Sequence, residues 1–196
     1  VKATLLMSTE QSLIGECAKI CYASKALGDD GKDITSSIVH SHGHLASLRF
    51  AYATIYLEGI SVACQNQMVR SKHLDFMVQS KRYVNPDKGE FKFIMPEGLT
   101  KAQEYFMASK WEQDLRDYEA LLDSGMKKED ARAILPANTS TKMNVTGNLQ
   151  AWWSFFELRL NSHAQREIRN VAIDVYGLLR KAYPLVFTEE LFVKLS

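Results

Sequence analysis

Four large aromatic side chains in five positions, Trp152, Trp153, Phe155 and Phe156, run directly into Leu158-Arg159-Leu160. Each aromatic stabilises a fold by roughly 2–3 kcal/mol when buried. Residues 149–160 are therefore expected as a helix lodged in the core, and the aromatic run as packing rather than a cofactor box. An arginine carried on such a segment needs an anionic or carbonyl partner. Glu157 or Glu167 would serve structurally, and a bound ligand would serve functionally. The chain can supply a core around this helix. Its 196 residues are 46% hydrophobic and 10% aromatic, which fits one domain and excludes general disorder.

Charge narrows the function classes. The 24 Lys and Arg nearly balance 23 Asp and Glu, for a net charge of +1. That balance lacks the clustered basic excess of a sequence-independent nucleic-acid binder. No apolar run approaches the ~20 residues that cross a bilayer, and the first residues show no signal-peptide pattern. Three sparse cysteines, Cys17, Cys21 and Cys64, fit a reducing, cytoplasmic setting. No nucleic-acid or membrane partner is expected.

The remaining pattern predicts a helix-rich α+β domain over 1–196. A strand is expected at 2–6, then a helix opened by a Ser8–Gln11 capping box, with Cys17 and Cys21 packed as small apolar groups on one face. Gly28 to Lys32 reads as a turn, 33–42 as a short helix and 50–57 as a strand. Ser61 is placed to cap the next helix. Asn85-Pro86-Asp87-Lys88-Gly89 is turn chemistry, and 91–95 reads as a short strand ended by Pro96. A long helix follows from about Lys101, with Ala102, Tyr105, Phe106, Leu115, Tyr118 and Leu122 facing the core and Gly125 ending it. A shorter helix ends at Leu135-Pro136, and 138–146 reads as polar linker. The last helix, 164–183, is expected to open on a Ser162–Gln165 capping box and to stop at Pro184.

Three groups of residues bear on chemistry. Gln67, Arg70, Ser71 and Lys72, with Ser80, Lys81, Arg82 and Tyr83, mix cations with hydroxyls in a way that suits phosphate. A solvated basic face is the bland alternative, but interleaved apolar residues place several of these cations near the core. Leu158 to His163 with Gln165 sits at a helix junction. His40, His42 and His44 look like metal bait, but no carboxylate cluster accompanies them, and no metal site is expected. Ser80 has no evident His base, so it reads as a phosphate-binding hydroxyl rather than a nucleophile. There is neither a P-loop nor a GxGxxG segment.

Arg70-Ser71-Lys72, seven residues, then Ser80-Lys81-Arg82-Tyr83 resembles the signature of flavin-dependent thymidylate synthases, Arg-His-Arg, seven residues, Ser. Cys21-Tyr22, Gly43-His44, Leu135-Pro136 with Asn138, Asn148, the stretch 157–165 and Pro184-Leu185-Val186-Phe187 are similar to the family in order and spacing. The resemblance covers nearly the whole chain.

It implies an antiparallel sheet flanked by helices, and a homotetramer with active sites where subunits meet. It implies conversion of dUMP to dTMP with methylenetetrahydrofolate as carbon donor and NADPH as reductant through FAD. Reduced flavin delivers the hydride and no enzyme nucleophile is needed. By the same resemblance Gln67, Arg70, Gln79, Ser80, Arg82, Lys142 and Arg159 hold dUMP, with Arg159 as the catalytic group facing the uracil ring. His44, Arg70, Ser71, Lys72, Asn148 and His163 lie around FAD and folate. Ser71 and Lys72 replace the signature His and second Arg, Val78 replaces an acid two positions before Ser80, and Arg49 replaces an acid after the Gly-His element. These departures raise two alternatives, a relative that adds another one-carbon group such as hydroxymethyl, and a nucleotide-binding protein without catalysis.

Overall fold

Alternation of inward apolar and outward polar residues builds the central sheet of the computed structural model, which describes residues 1–22, 34–82 and 91–196. Strands β1 (Lys2–Ser8), β2 (Tyr52–Ser61), β3 (Leu74–Val78) and β4 (Ser140–Asn148) pair antiparallel in the order β1-β2-β4-β3. The α+β single-domain architecture is as expected from the sequence. The turn readings at 28–32 and 85–89 lie outside the described residues, as does Tyr83.

Two strands correct the sequence reading. The segment 138–146 is no linker, because most of it forms β4, a central strand. Thr141, Met143, Val145 and Gly147 point inward and are buried, while Lys142 and Asn144 are exposed. Only two of the inward residues are large and apolar, so the period-2 signal is faint. β3 went unread for a similar reason: Asp75 and Met77 face solvent within a five-residue run. Conversely, 91–95 contributes a single bridge, Phe93 to Thr139, and no strand.

One face of the sheet is covered by α5 (Leu149–Arg159) and α6 (Arg166–Ala182). Trp152, Phe155 and Phe156 are at most 1% exposed and pack with Ile55, Leu57, Val145, Val175 and Tyr176. Phe156 lies 5.0 Å from Tyr176 and 5.4 Å from Phe187, both edge-to-face. Trp152 Nε1 donates to Ala53 O at 3.2 Å, so its polar handle is spent on β2. Asn148 ends β4 and caps α5 in one residue, its Oδ1 accepting from Ala151 N at 2.9 Å.

Ser61 caps α2 (Val62–Met68) as expected, accepting from Cys64 N at 2.9 Å. Two other expected boxes are absent. Ser8 closes β1, and Gln11, which precedes α1 (Ser12–Lys19), turns its Oε1 to Leu185 N at 2.9 Å. Ser162 makes no cap to α6, whose first residue follows Gln165 without a side-chain bond. Cys21 is exposed rather than packed. The expected helix at 33–42 is a π-helix over Ser37–Ser41.

The long helix α3 (Lys101–Asp123) opens on a Thr100–Gln103 capping box. Only its second half faces a core, a small satellite of Phe91, Tyr118 and Ala131. Ala102, Tyr105 and Phe106 are exposed, the two aromatics by 77% and 71%, which corrects their expected burial. The short helix α4 (Lys128–Ala131) passes into a 3-10 turn, Arg132–Ile134. Beyond Pro184 the chain adds α7 (Glu189–Leu195), capped by Thr188. Among the described residues no helix is long and apolar enough to cross a membrane.

Candidate active site

The signature residues flank β3, and the strand keeps its two halves apart. Seven residues, the five of β3 among them, separate Lys72 from Ser80, a reach of at most about 26 Å in fully extended chain. Gln67, Arg70, Ser71 and Lys72 therefore stand at one end, and Ser80, Lys81 and Arg82 at the other.

At the first end, Arg159 emerges half-buried from the last turn of α5. Its Nη2 donates to Gln67 O at 3.1 Å, and its buried Nε has no hydrogen-bond partner among the described residues. Gln67 Nε2 donates in turn to Gln165 Oε1 at 2.8 Å. Neither suggested acid holds the guanidinium. Glu157 accepts from Trp153 Nε1 at 3.1 Å. Glu167 accepts from Ser61 N at 2.7 Å and Ser61 Oγ at 2.6 Å. The first turn of α6 thus grips α2 near both ends, through Glu167 and Gln165. Cys64, between these groups, is pushed up to about 12 by burial and then by Glu167, with Arg159 opposing. A guanidinium that meets no carboxylate among the described residues keeps its charge for an acceptor able to reach it.

At the other end, Arg82 directs Nε and Nη2 to Glu129 Oε2 at 3.1 and 3.0 Å. Ser80 Oγ accepts from Arg82 N at 3.3 Å. Arg132 Nε donates to Glu129 O at 3.0 Å. Lys81 lies 5.5 Å from the Phe91 ring centroid, and burial followed by the Arg132 charge pushes it down to about 8. Arg132 is a member that spacing alone left unmarked. Its only sequence signal is its place three residues before Leu135-Pro136. Apart from Lys81, these signature cations are exposed, so the core placement expected from interleaved apolar residues does not hold.

The other expected residues fall into two clefts. Gln79 and Lys142 line one of about 520 Å³ with Lys2, Lys92 and Glu58, on the open side of the sheet. Gln79 N donates to Lys142 O at 3.0 Å. Asn148 lines another of about 420 Å³ with Arg49, His73, Gln150 and Ser154. Arg49 Nε reaches Gln150 Oε1 at 2.5 Å. His73 opens β3 with a left-handed φ of 66°, a conformation that costs a side chain about 1 kcal/mol. Just before it, Ser71 Oγ is buried without a partner among the described residues, whereas Arg70 and Lys72 are exposed. His44 stacks loosely on His42, 6.2 Å between rings, and His163 is exposed, its N–H donating to Asn161 Oδ1 at 2.9 Å. One chain therefore brings Gln67 and Arg159 together, and Ser80 with Arg82, but does not join the two pairs.

Residues 4–185 match the family described as thymidylate synthase complementing protein. The chain belongs to this family. A flavin-dependent thymidylate synthase from Geobacter sulfurreducens is 32% identical over 200 residues, covering 96% of this chain and 86% of the relative. One from Pyrococcus furiosus is 34% identical, covering 88% and 76%. Thymidylate synthase X from Helicobacter pylori, crystallised with FAD and dUMP, superposes with a TM-score of 0.81 over 98% of this chain and 99% of its own, at 17% identity. That likeness is one of fold. By its relatives' class this family member is a flavin-dependent thymidylate synthase.

Proposed function

We propose that this synthase methylates dUMP reductively to dTMP, with methylenetetrahydrofolate as carbon donor, NADPH as reductant and FAD as the resident cofactor. The observation that carries the proposal is Arg159, a half-buried guanidinium with an unmet Nε–H beside Gln67 and Gln165. Fixed donors in a partly dry site stabilise negative charge where it develops, here on a pyrimidine carbonyl. Ser80, Arg82 and Arg132, with Lys81, form the cluster for the 5′-phosphate. Lys142 and Gln79 lie beside it in sequence pairing and extend its positive rim.

The chain's own groups fit a flavin nucleotide. The cleft of Arg49, His73, Asn148 and Gln150 is rich in polar groups, and Ser71 Oγ has no partner among the described residues. Arg70, Lys72, His44 and His163 would complete the grip on FAD and folate. When bound, FAD supplies the hydride. The protein's part is to orient the nucleotide, hold its charge and keep water out.

A strand's length between the two halves of the signature favours a site completed by a second subunit. β3 alone, five residues or about 17 Å long, exceeds the span of a nucleotide monophosphate. The reading is a homotetramer with sites at subunit junctions, working in the cytoplasm, where its three free thiols would stay reduced. Purified protein reconstituted with FAD should show a yellow flavin spectrum and form dTMP of the methylated mass. A protein that stays colourless and makes no dTMP would overturn the proposal, and a monomer with full activity would overturn the shared site.

A further inference from the structure

Glu129 occupies the edge of Arg82 that an oxyanion would take. Both Nε and Nη2 of Arg82 point at one carboxylate oxygen, Oε2, at 3.1 and 3.0 Å. That side of a guanidinium is a preferred docking edge for carboxylate and phosphate alike. The backbone carbonyl of Glu129 also accepts from Arg132, so one residue ties two guanidiniums together. Lys81 adds a third cation, pushed down to about 8 by its burial and then by the Arg132 charge. Glu129 contributes one negative charge to this cluster. A phosphate monoester carries up to two charges over three acceptor oxygens and suits it better. The pair is about half exposed on both sides, 53% and 41%, and such ion pairs are weak enough to be exchanged.

We propose that Glu129 is a specificity-determining placeholder, whose carboxylate holds the Arg82 edge until a phosphate monoester dianion displaces it. The inference rests on the nucleotide role of Arg82 given above and deepens it. The ligand class is a nucleoside 5′-monophosphate. An uncharged nucleoside has nothing to exchange for the carboxylate, and a singly charged phosphodiester exchanges on poor terms.

Calorimetric titration of the full chain at pH 8 tests this, with dUMP, its 5′-phosphate methyl ester and inorganic phosphate as probes. Glu129→Gln keeps the side-chain shape and removes the charge. It should bind dUMP about two- to fivefold tighter than wild type and narrow the preference for dUMP over the methyl ester, with inorganic phosphate following dUMP. Glu112→Gln, on the exposed surface of α3, changes the net charge equally and should leave both affinities as they are. Unchanged or weaker dUMP binding by Glu129→Gln at an unaltered melting temperature overturns the placeholder, and so does equal tightening by Glu112→Gln. If Arg82→Ala weakens dUMP while Glu129→Gln fails to tighten it, this inference falls alone. If Arg82→Ala binds dUMP as wild type does, it falls together with the nucleotide role of Arg82.

Discussion

The two ends of β3 present arginines in opposite physical states. Arg159 is half-buried, holds a backbone carbonyl and meets no carboxylate among the described residues, because Glu167 is committed to Ser61. Arg82 is half exposed and already neutralised by Glu129. A guanidinium without a counter-ion keeps its field for charge that appears during reaction. One with an exposed counter-ion can trade it for a ground-state anion. The contrast separates a group suited to the transition state from a group suited to binding.

Removing each group should expose that difference. The largest effect is expected from Arg159→Ala, a loss of about 10²–10³ in kcat with the fold intact; near-normal turnover would break the comparison at its stronger end. Glu167→Ala strips Ser61 of two hydrogen bonds and leaves a buried N–H unmet, so chemical denaturation should report a loss of about 2–3 kcal/mol. Arg82→Ala should raise the dUMP dissociation constant about tenfold and change kcat little, which steady-state kinetics can separate. Glu129→Ala should move stability by less than about 1 kcal/mol, since an exposed pair contributes little. The last effect, at Lys81, shows only as a dependence on pH. Its folded value of about 8 lies below the ordinary lysine value of 10.5, so the unfolded chain binds more protons between these values. Stability then rises with pH across that window, and below it the penalty is constant. The stability advantage of Lys81→Met should shrink as pH passes 8, and a flat difference between the melting curves would show that the ammonium is fully solvated.

The parts of the fold written in strong periodicity were legible. The aromatic run forced α5, and α6 followed from its spacing. β4 was hidden because Thr141 and Gly147 occupy inward positions that usually advertise themselves with large apolar groups. Tyr105 and Phe106 misled in the other direction, since a helical period says which residues share a face but not whether anything covers it. At the site, Arg159 and Gln67 were legible as individual residues. Their mutual contact, the Gln165 bridge and the arrival of Arg132 beside Lys81 depend on which segments the fold brings together, and spacing along the chain carries none of that.

Gly147 sits opposite Leu74 in the β3–β4 register. A Cβ there would come within 2.5 Å of Leu74 Cδ2 and 3.1 Å of His73 O. The missing methyl at 147 is thus what lets the edge strand lie flush at the point where the signature turn begins. An alanine would make Leu74 swing its Cδ2 aside and the His73 carbonyl yield by a few tenths of an ångström. Position 147 thus sets how snugly the segment that carries Ser71 before it and Arg82 after it can seat, although it touches no ligand.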